Sequence, residues 1–157
     1  MSEASQRISG ITLDEHSVLR RSPVIENERN AAIADLLKEN SFAPLSGLDG
    51  PYHLHLAAEE NRLLLEIRAA AGESETVVLP LAPFRGIVKD YFLVCESYYE
   101  AVRSKSLDRI EAIDVGRRSL HDEGSTLLAE RLAGKIAIDH ATGRRLFTLL
   151  CVLHLRA

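Results

Sequence analysis

The chain has 157 residues, of which 46% are hydrophobic and 27% are charged, values typical of one folded domain rather than a disordered or fibrous protein. Residues 1–10 lack the apolar core of a secretory signal, and the longest apolar run, residues 146–155, is about half of the roughly 20 residues that span a membrane. We therefore expect a cytoplasmic protein without membrane contact.

The net charge of −4 is unevenly distributed along the chain. Residues 1–102 contain 9 basic and 16 acidic side chains, whereas residues 103–157 contain 10 basic and 7 acidic ones. The asymmetry has three interpretations. It could orient an anionic ligand, it could let unlike halves of two subunits make contact, or it is simply a solvated surface.

The first predicted elements are a short strand and a helix. Apolar residues within 8–13 indicate extended structure, and Ser22 followed by Pro23 is typical of a helix start with serine as the N-cap. Apolar residues then recur at helical spacing up to about Asn40, which predicts a helix with one buried stripe.

Three antiparallel strands are predicted after the turn at Gly50-Pro51. Residues 52–58 alternate in polarity, Glu60-Asn61 is typical of a two-residue turn, and two further strands cover residues 62–69 and 76–81. This hairpin register places Leu56 opposite Leu65 and Leu54 opposite Ile67 on a core face, and His55 opposite Glu66 and His53 opposite Arg68 on the other face.

From Pro83 onwards the pattern is mostly helical. Apolar residues from Phe84 to Val102 step by three and four, whereas the helical pattern from Ser106 to Gly134 leaves one kinked helix or two open. A short strand at 135–139 precedes a last helix, from His140 to about His154. That helix is apolar on every side, which predicts a place at the centre of the molecule or in a dimer interface.

The sequence thus predicts an α+β fold in a single domain, residues 1–157, with an antiparallel sheet of three to four strands packed against helices. We expect residues 1–5 to be flexible, residues 6–82 to be strand-rich with one helix, and residues 83–157 to be mostly helical. The apolar last helix and the uneven charge predict a homo-oligomer, with a dimer as the simplest case.

Several strings resemble a family of uncharacterised alphaproteobacterial proteins of about this length. They are VKDYF and CESYYEA within 88–101, IEAID and GRR within 110–118, RRLFTL and CVLH within 144–154, and NSFAP and GPY within 40–52. The resemblance covers nearly the whole chain beyond its N-terminus. It implies a bacterial cytoplasmic protein and assigns no activity and no site.

Two arginine pairs form the first candidate site. Arg117-Arg118 and Arg144-Arg145 would clamp a phosphate or carboxylate if the last helices pack antiparallel, because the planar guanidinium binds such groups bidentately. His121 and Glu123 would then supply proton transfer. Salt bridges on a solvated surface are the commoner role of arginines beside acidic residues, and frequency favours that interpretation.

The polar face of the hairpin is the second candidate site. His55 opposite Glu66, with His53 on the same face, suits a general base or a metal ligand, because a carboxylate fixes the tautomer of a histidine and raises its basicity. Ordinary cross-strand pairs on the solvent side are the favoured alternative. His53 and His55 are the weak metal candidates, and we expect no metal.

Other common chemistries are disfavoured. The chain contains no phosphate-binding glycine loop, nucleophile elbow or Cys-x-x-Cys pair, and Cys95 and Cys151 lie in apolar helical runs typical of buried thiols. The order of elements over residues 23–103 and the Gly-Pro-x-His at 50–53 are similar to double-stranded RNA-binding domains. The acidic character of residues 1–102 opposes phosphate contact, so we expect no nucleic acid.

The sequence leaves the function unknown, with no predicted cofactor, and the question of enzyme activity stays open with a non-enzymatic role favoured. The leading hypothesis is a small accessory or regulatory protein that acts through protein contacts. The alternatives are a metal-independent enzyme or binder of a small anionic metabolite at the arginine pairs, and a metal or general-base site on the sheet face.

Overall fold

The computed structural model describes residues 5–15 and 23–154. The elements in chain order are β1 (Ile8–Leu13), α1 (Pro23–Lys38), β2 (Phe42–Pro44), β3 (Tyr52–Glu59), β4 (Arg62–Arg68), β5 (Ser74–Pro80), α2 (Arg85–Arg103), α3 (Leu107–Leu132), β6 (Ile136–Ile138) and α4 (His140–His154). A single 3-10 turn, Ala82–Phe84, leads into α2. The predicted α+β fold is confirmed. The predicted flexible start, apart from Ser5, and the predicted N-cap Ser22 lie outside the described residues.

The main sheet has four strands in the order β1-β3-β4-β5. The hairpin register is the predicted one, with Leu56 opposite Leu65 and His55 opposite Glu66. Glu60 and Asn61 have φ values of 49° and 66°, so both turn residues are left-handed, as the twist of a two-residue hairpin requires.

The sheet is mixed rather than purely antiparallel, because β1 runs parallel to β3. The connection between these strands includes α1, and a helical crossover returns the chain to the end of the sheet from which it started. Alternating polarity in an isolated strand carries no information on direction, so this feature could not be read from residues 8–13. A second, two-stranded sheet pairs β2 with β6, with Phe42 opposite Ile138.

The helix α4 lies at the centre of the molecule, which is one of the two predicted positions. It packs mainly between α1 and α3 and also touches β3. Every residue from Leu146 to Leu153 is buried by other parts of the same chain. The all-round apolar character of α4 is therefore accounted for without a partner, and this removes one of the two reasons for expecting an oligomer.

The region from Ser106 to Gly134 contains one continuous helix, α3. Its Gly124 lies against α4, where a Cβ atom would come within 2.5 Å of the Phe147 ring. On the facing helix, a Cβ atom on Gly143 would collide with the Ser125 hydroxyl. The two glycines thus let α3 and α4 approach closely, which brings polar residues further along both helices together. No helix in the described part of the chain is long and apolar enough to cross a membrane.

Candidate functional site

Three helices, α1, α3 and α4, enclose a cleft of about 160 Å³. Each helix contributes residues at helical spacing, so that one stripe of each faces the same space. The lining residues are Glu28, Ala31, Ala32, Asp35, Arg117, His121, Arg144, Arg145 and Thr148.

A buried ion pair forms the inner wall of the cleft. The carboxylate of Glu28 is only 6% exposed, and Nη2 of Arg117 donates to its two oxygens at 2.7 and 2.6 Å. The Tyr91 hydroxyl donates to Oε1 at 2.6 Å, and the Cys95 thiol lies 3.4 Å from the same oxygen. The guanidinium of Arg117 also lies 5.3 Å from the Tyr98 ring. This network joins α1, α2 and α3.

The network fixes the protonation states of its members. Burial acts to raise the pKa of Glu28, but the hydrogen bond from Tyr91 and the charge of Arg117 outweigh burial and lower it. Burial opposes the charge of Arg117, yet Glu28 holds its pKa above the usual value. Burial, followed by the charge of Glu28, raises the pKa of Cys95 to about 12. Near neutral pH the pair is therefore ionised and Cys95 is a protonated thiol, which is a poor nucleophile.

His121 is neutral at pH 7. It is 8% exposed, and burial, followed by the charges of Arg117 and Arg144, lowers its pKa to about 4, against the opposing influence of Glu28 and the Arg117 carbonyl. Its Nε2 lies 3.2 Å from the Thr148 hydroxyl, which is also 3.2 Å from the Arg144 carbonyl. The hydroxyl has one proton and donates to only one of these two acceptors.

Two buried polar atoms at the cleft lack a hydrogen-bond partner among the described residues. They are Nε of Arg117 and Nδ1 of His121. An arginine Nε–H can only donate, so this atom calls for an acceptor oxygen. Buried polar groups without partners are rare in folded proteins, which directs attention to a ligand at this place.

The two arginines of α4 differ in how firmly they are held. Nη1 of Arg144 lies 2.7 Å from Asp122, whose Oδ1 is also 3.0 Å from Nε2 of His140. Arg145 donates to the Ala141 carbonyl at 3.3 Å, but its Nη2 is 3.8 Å from Asp35, beyond hydrogen-bond distance. Arg144 therefore has a close counter-ion, whereas Arg145 is only loosely paired.

Four of the six residues predicted from the arginine pairs meet at this cleft, and two do not. Arg117, His121, Arg144 and Arg145 line it. Arg118 is 69% exposed and pairs with Asp114 at 2.8 Å, while Glu123 is exposed and lines a separate depression with Asp122. Helical geometry explains both departures. Arg118 follows Arg117 by one residue and Glu123 follows His121 by two, and residues at these spacings lie on different faces of a helix.

The sheet face has the predicted register but is open to solvent. The Thr12 hydroxyl lies 2.6 Å from Nδ1 of His55 and 3.3 Å from Nε2 of His53, and Glu66 pairs with Arg68 at 3.5 Å. Within residues 5–15 and 23–154, no group of three histidine, cysteine or acidic side chains is placed to hold a metal ion.

Glu28 is the site residue that sequence reasoning missed. The signal was present, because Ile25, Glu28, Ala32 and Leu36 form the buried stripe of α1. A carboxylate at a stripe position must be paired, since an isolated buried charge is unstable. The sequence did not show which arginine supplies that pairing, because the partner lies 89 positions further along the chain.

Comparison with known proteins gives the family of the chain. The profile of an uncharacterised protein family, UPF0262, matches residues 5–156. The chain belongs to this family. A UPF0262 protein of Rhodopseudomonas palustris strain BisB18 is 56% identical, over 94% of this chain and 91% of the relative. Relatives from Bradyrhizobium diazoefficiens (54% identity, 97% and 93% coverage) and Xanthobacter autotrophicus (55% identity, 96% and 93% coverage) are similar. No solved structure matches the chain.

The family confirms the predicted resemblance to uncharacterised alphaproteobacterial proteins. Its description names no reaction, ligand or partner, so it adds no site residue to those found by geometry.

Proposed function

We propose that this protein binds a small anion in the cleft between α1, α3 and α4. The observation that carries the proposal is the convergence of Arg117, Arg144 and Arg145 on one cleft, where the buried Nε–H of Arg117 has no acceptor among the described residues. Guanidinium groups are the usual protein ligands of carboxylates and phosphates, because their N–H groups match the spacing of the oxygens.

The size of the cleft suits a small metabolite. Its volume of about 160 Å³ is well below the roughly 300–1,000 Å³ of drug-sized pockets. The ligand is therefore one anionic group with a short attached chain.

A binding role fits the cleft better than catalysis. Burial raises the pKa of Cys95, so this residue is a protonated thiol near pH 7 and a poor nucleophile. Burial lowers the pKa of His121, so its ring is neutral near pH 7 and is not a general acid. We therefore favour a cytoplasmic accessory or regulatory protein whose stability or contacts change when the anion binds.

Thermal unfolding in the presence of anions tests this proposal. We expect the Tm to rise with increasing concentrations of methyl phosphate or butyrate at constant ionic strength, because a ligand that binds only the folded state stabilises it. Arg145→Gln should abolish the rise, whereas Arg118→Gln, which removes an arginine outside the cleft, should retain it. An equal response of both variants, or no response of the native chain, would show that the cleft does not bind these anions.

We also propose a second copy of the chain as a partner, through the outer face of α2 and α3. Leu93, which is 60% exposed, lines a shallow groove with Val94, Gly116 and Leu120, and Val115, which is 67% exposed, precedes Gly116 in α3. A two-fold interface pairs one surface patch with the same patch of a second copy, and exposed apolar side chains beside a groove suit such a contact.

Sedimentation equilibrium tests the second copy. We expect a dimer that Leu93→Glu dissociates and that Leu107→Glu leaves intact, since Leu107 is 74% exposed but lies outside the groove. A native chain that sediments only as a monomer would refute this partner.

A further inference from the structure

We propose that the anion bound in the cleft is a monocarboxylate with a short aliphatic chain, not a phosphate dianion. This inference rests on the proposed anion-binding function and specifies its ligand class. Three features of the cleft carry it: the balance of its charges, the availability of its arginines, and two methyl groups on its α1 side.

The charges around the cleft nearly cancel. Arg117, Arg144 and Arg145 face two lining carboxylates, Glu28 and Asp35, and the carboxylate of Asp122 lies on Arg144. A monoanion then leaves one charge to be compensated by rearrangement or solvent, whereas a dianion leaves two. Because uncompensated charge is costly in a partly buried space, the cleft favours the lower ligand charge.

In the part of the chain that the structure describes, only one of the three arginines has a guanidinium group without a close carboxylate partner. Nη2 of Arg117 is bonded to both oxygens of Glu28 and Nη1 lies 3.8 Å from Asp114, so that guanidinium already faces two carboxylates, and Arg144 is held by Asp122. Arg145 is the loosely paired member, with Asp35 at 3.8 Å. Two carboxylate oxygens fit a single guanidinium fork, whereas three phosphate oxygens would require Arg144 to leave Asp122, which also bonds His140.

The α1 side of the cleft carries two methyl groups between the carboxylates Glu28 and Asp35. Ala31 and Ala32 of α1 line it without a hydrogen-bonding side chain. A phosphate buried against these methyl groups would lose water without gaining a bond, whereas a short aliphatic chain gains about 25 cal/mol per Å² of apolar area buried. These methyl groups therefore suit the hydrocarbon part of a carboxylic acid.

The experiment compares two probes on the whole chain, butyrate and methyl phosphate, by chemical-shift titration at pH 7.5 and constant ionic strength. Methyl phosphate is mainly a dianion at this pH, since the second pKa of a phosphate monoester is about 6. We expect butyrate to bind roughly tenfold more tightly than methyl phosphate, and Arg145→Gln to weaken butyrate binding by roughly tenfold or more. Arg118→Gln is the matched control and should change neither affinity.

A second variant tests the charge argument directly. Asp35→Asn removes one negative charge from the cleft and should increase methyl phosphate affinity several-fold relative to butyrate affinity. Equal or tighter binding of methyl phosphate to the native chain, lost in Arg145→Gln, would overturn the monocarboxylate inference and uphold the anion site. Binding of neither probe would refute both, and an unchanged preference in Asp35→Asn would refute the charge argument.

Discussion

The helical cleft and the open face of the sheet both contain histidine and glutamate side chains. Only in the cleft are these side chains buried and bonded to groups from neighbouring helices. On the sheet, His53 and His55 share a threonine hydroxyl at the surface. In the cleft, His121 and Glu28 are 8% and 6% exposed and are held by groups from neighbouring helices. Water screens the first set, whereas burial makes the second set depend on its partners.

The largest expected effect comes from breaking the buried ion pair. Arg117→Met should lower the free energy of unfolding by about 3–5 kcal/mol, because it leaves the Glu28 carboxylate buried without its counter-charge. Urea denaturation at pH 7 measures the change.

The double variant Glu28→Met with Arg117→Met distinguishes the loss of the ion pair from a general loss of packing. Two apolar side chains of similar size should recover part of the lost stability, since replacing a whole buried pair is often nearly neutral. Recovery is incomplete because the buried Tyr91 hydroxyl loses its acceptor. A double variant as unstable as the sum of the two single variants would contradict the coupling.

The next largest effect is a loss of stability in mild acid. The pKa of His121 is about 4 in the folded chain and about 6.5 when unfolded, so between these values the unfolded state binds the proton first. Stability from this group is complete above pH 6.5 and is lost as the pH falls through 4, by up to about 3 kcal/mol. The charged and titratable groups facing the ring are Arg117, Glu28, Arg144 and Tyr91.

Stability measured between pH 6.5 and 4.5 excludes Glu28, which has a pKa lowered from 4.5 and stays ionised there. His154, whose pKa is also lowered by burial, contributes in the same range. We expect His121→Gln to reduce the slope of the profile in this range and to leave the part due to His154. The matched change on the sheet, His53→Gln with His55→Gln, should leave the slope as it is in the native chain. A flat native profile would show that His121 is not held neutral.

A smaller effect is expected where α3 crosses α4. Gly124→Ala should destabilise the chain by about 1–3 kcal/mol, since its Cβ would lie 2.5 Å from the Phe147 ring. Gly116→Ala on the same helix is the control: the nearest atom is 3.9 Å away, so we expect stabilisation of about 0.5–1 kcal/mol from helix propensity. Thermal unfolding of both variants checks the difference, and equal effects would contradict the close crossing.

The smallest effect is expected on the sheet face. Glu66→Gln should change the free energy of unfolding by less than about 0.5 kcal/mol, because its partner Arg68 is exposed and 3.5 Å away. A loss of about 2 kcal/mol or more in urea denaturation would mean that the side chains of this face depend on their partners as strongly as those of the cleft.

Local chemistry explains which parts of the fold could be predicted. The hairpin register followed from the two-residue turn at Glu60 and Asn61, since turn type fixes pairing. The helix α2 followed from its spacing of buried residues, among them Val88, Tyr91 and Cys95. Each of these signals lies within a few residues along the chain.

The parts that escaped prediction depend on distant partners. The direction of β1 and the pairing of β2 with β6 depend on where the chain places segments that are far apart in sequence. Local residue patterns do not encode this placement. At the cleft, the arginines were recognisable as a group, but only the tertiary packing of α3 against α1 and α2 distinguishes Arg117, which faces Glu28, from Arg118, which faces solvent.

The parallel strand β1 has a consequence for how the chain is synthesised and folded. It is synthesised before its partner residues, which begin at Tyr52, whereas β3 and β4 are joined by a two-residue turn and pair locally. Contacts between distant segments form slowly, so we expect β1 to dock after the hairpin of β3 and β4 has formed. The Asn40 side chain bonds the backbone N–H and C=O of Ile8, and it is made before β3. The Asn40 side chain is therefore placed to hold β1 against the end of α1 until β3 has formed.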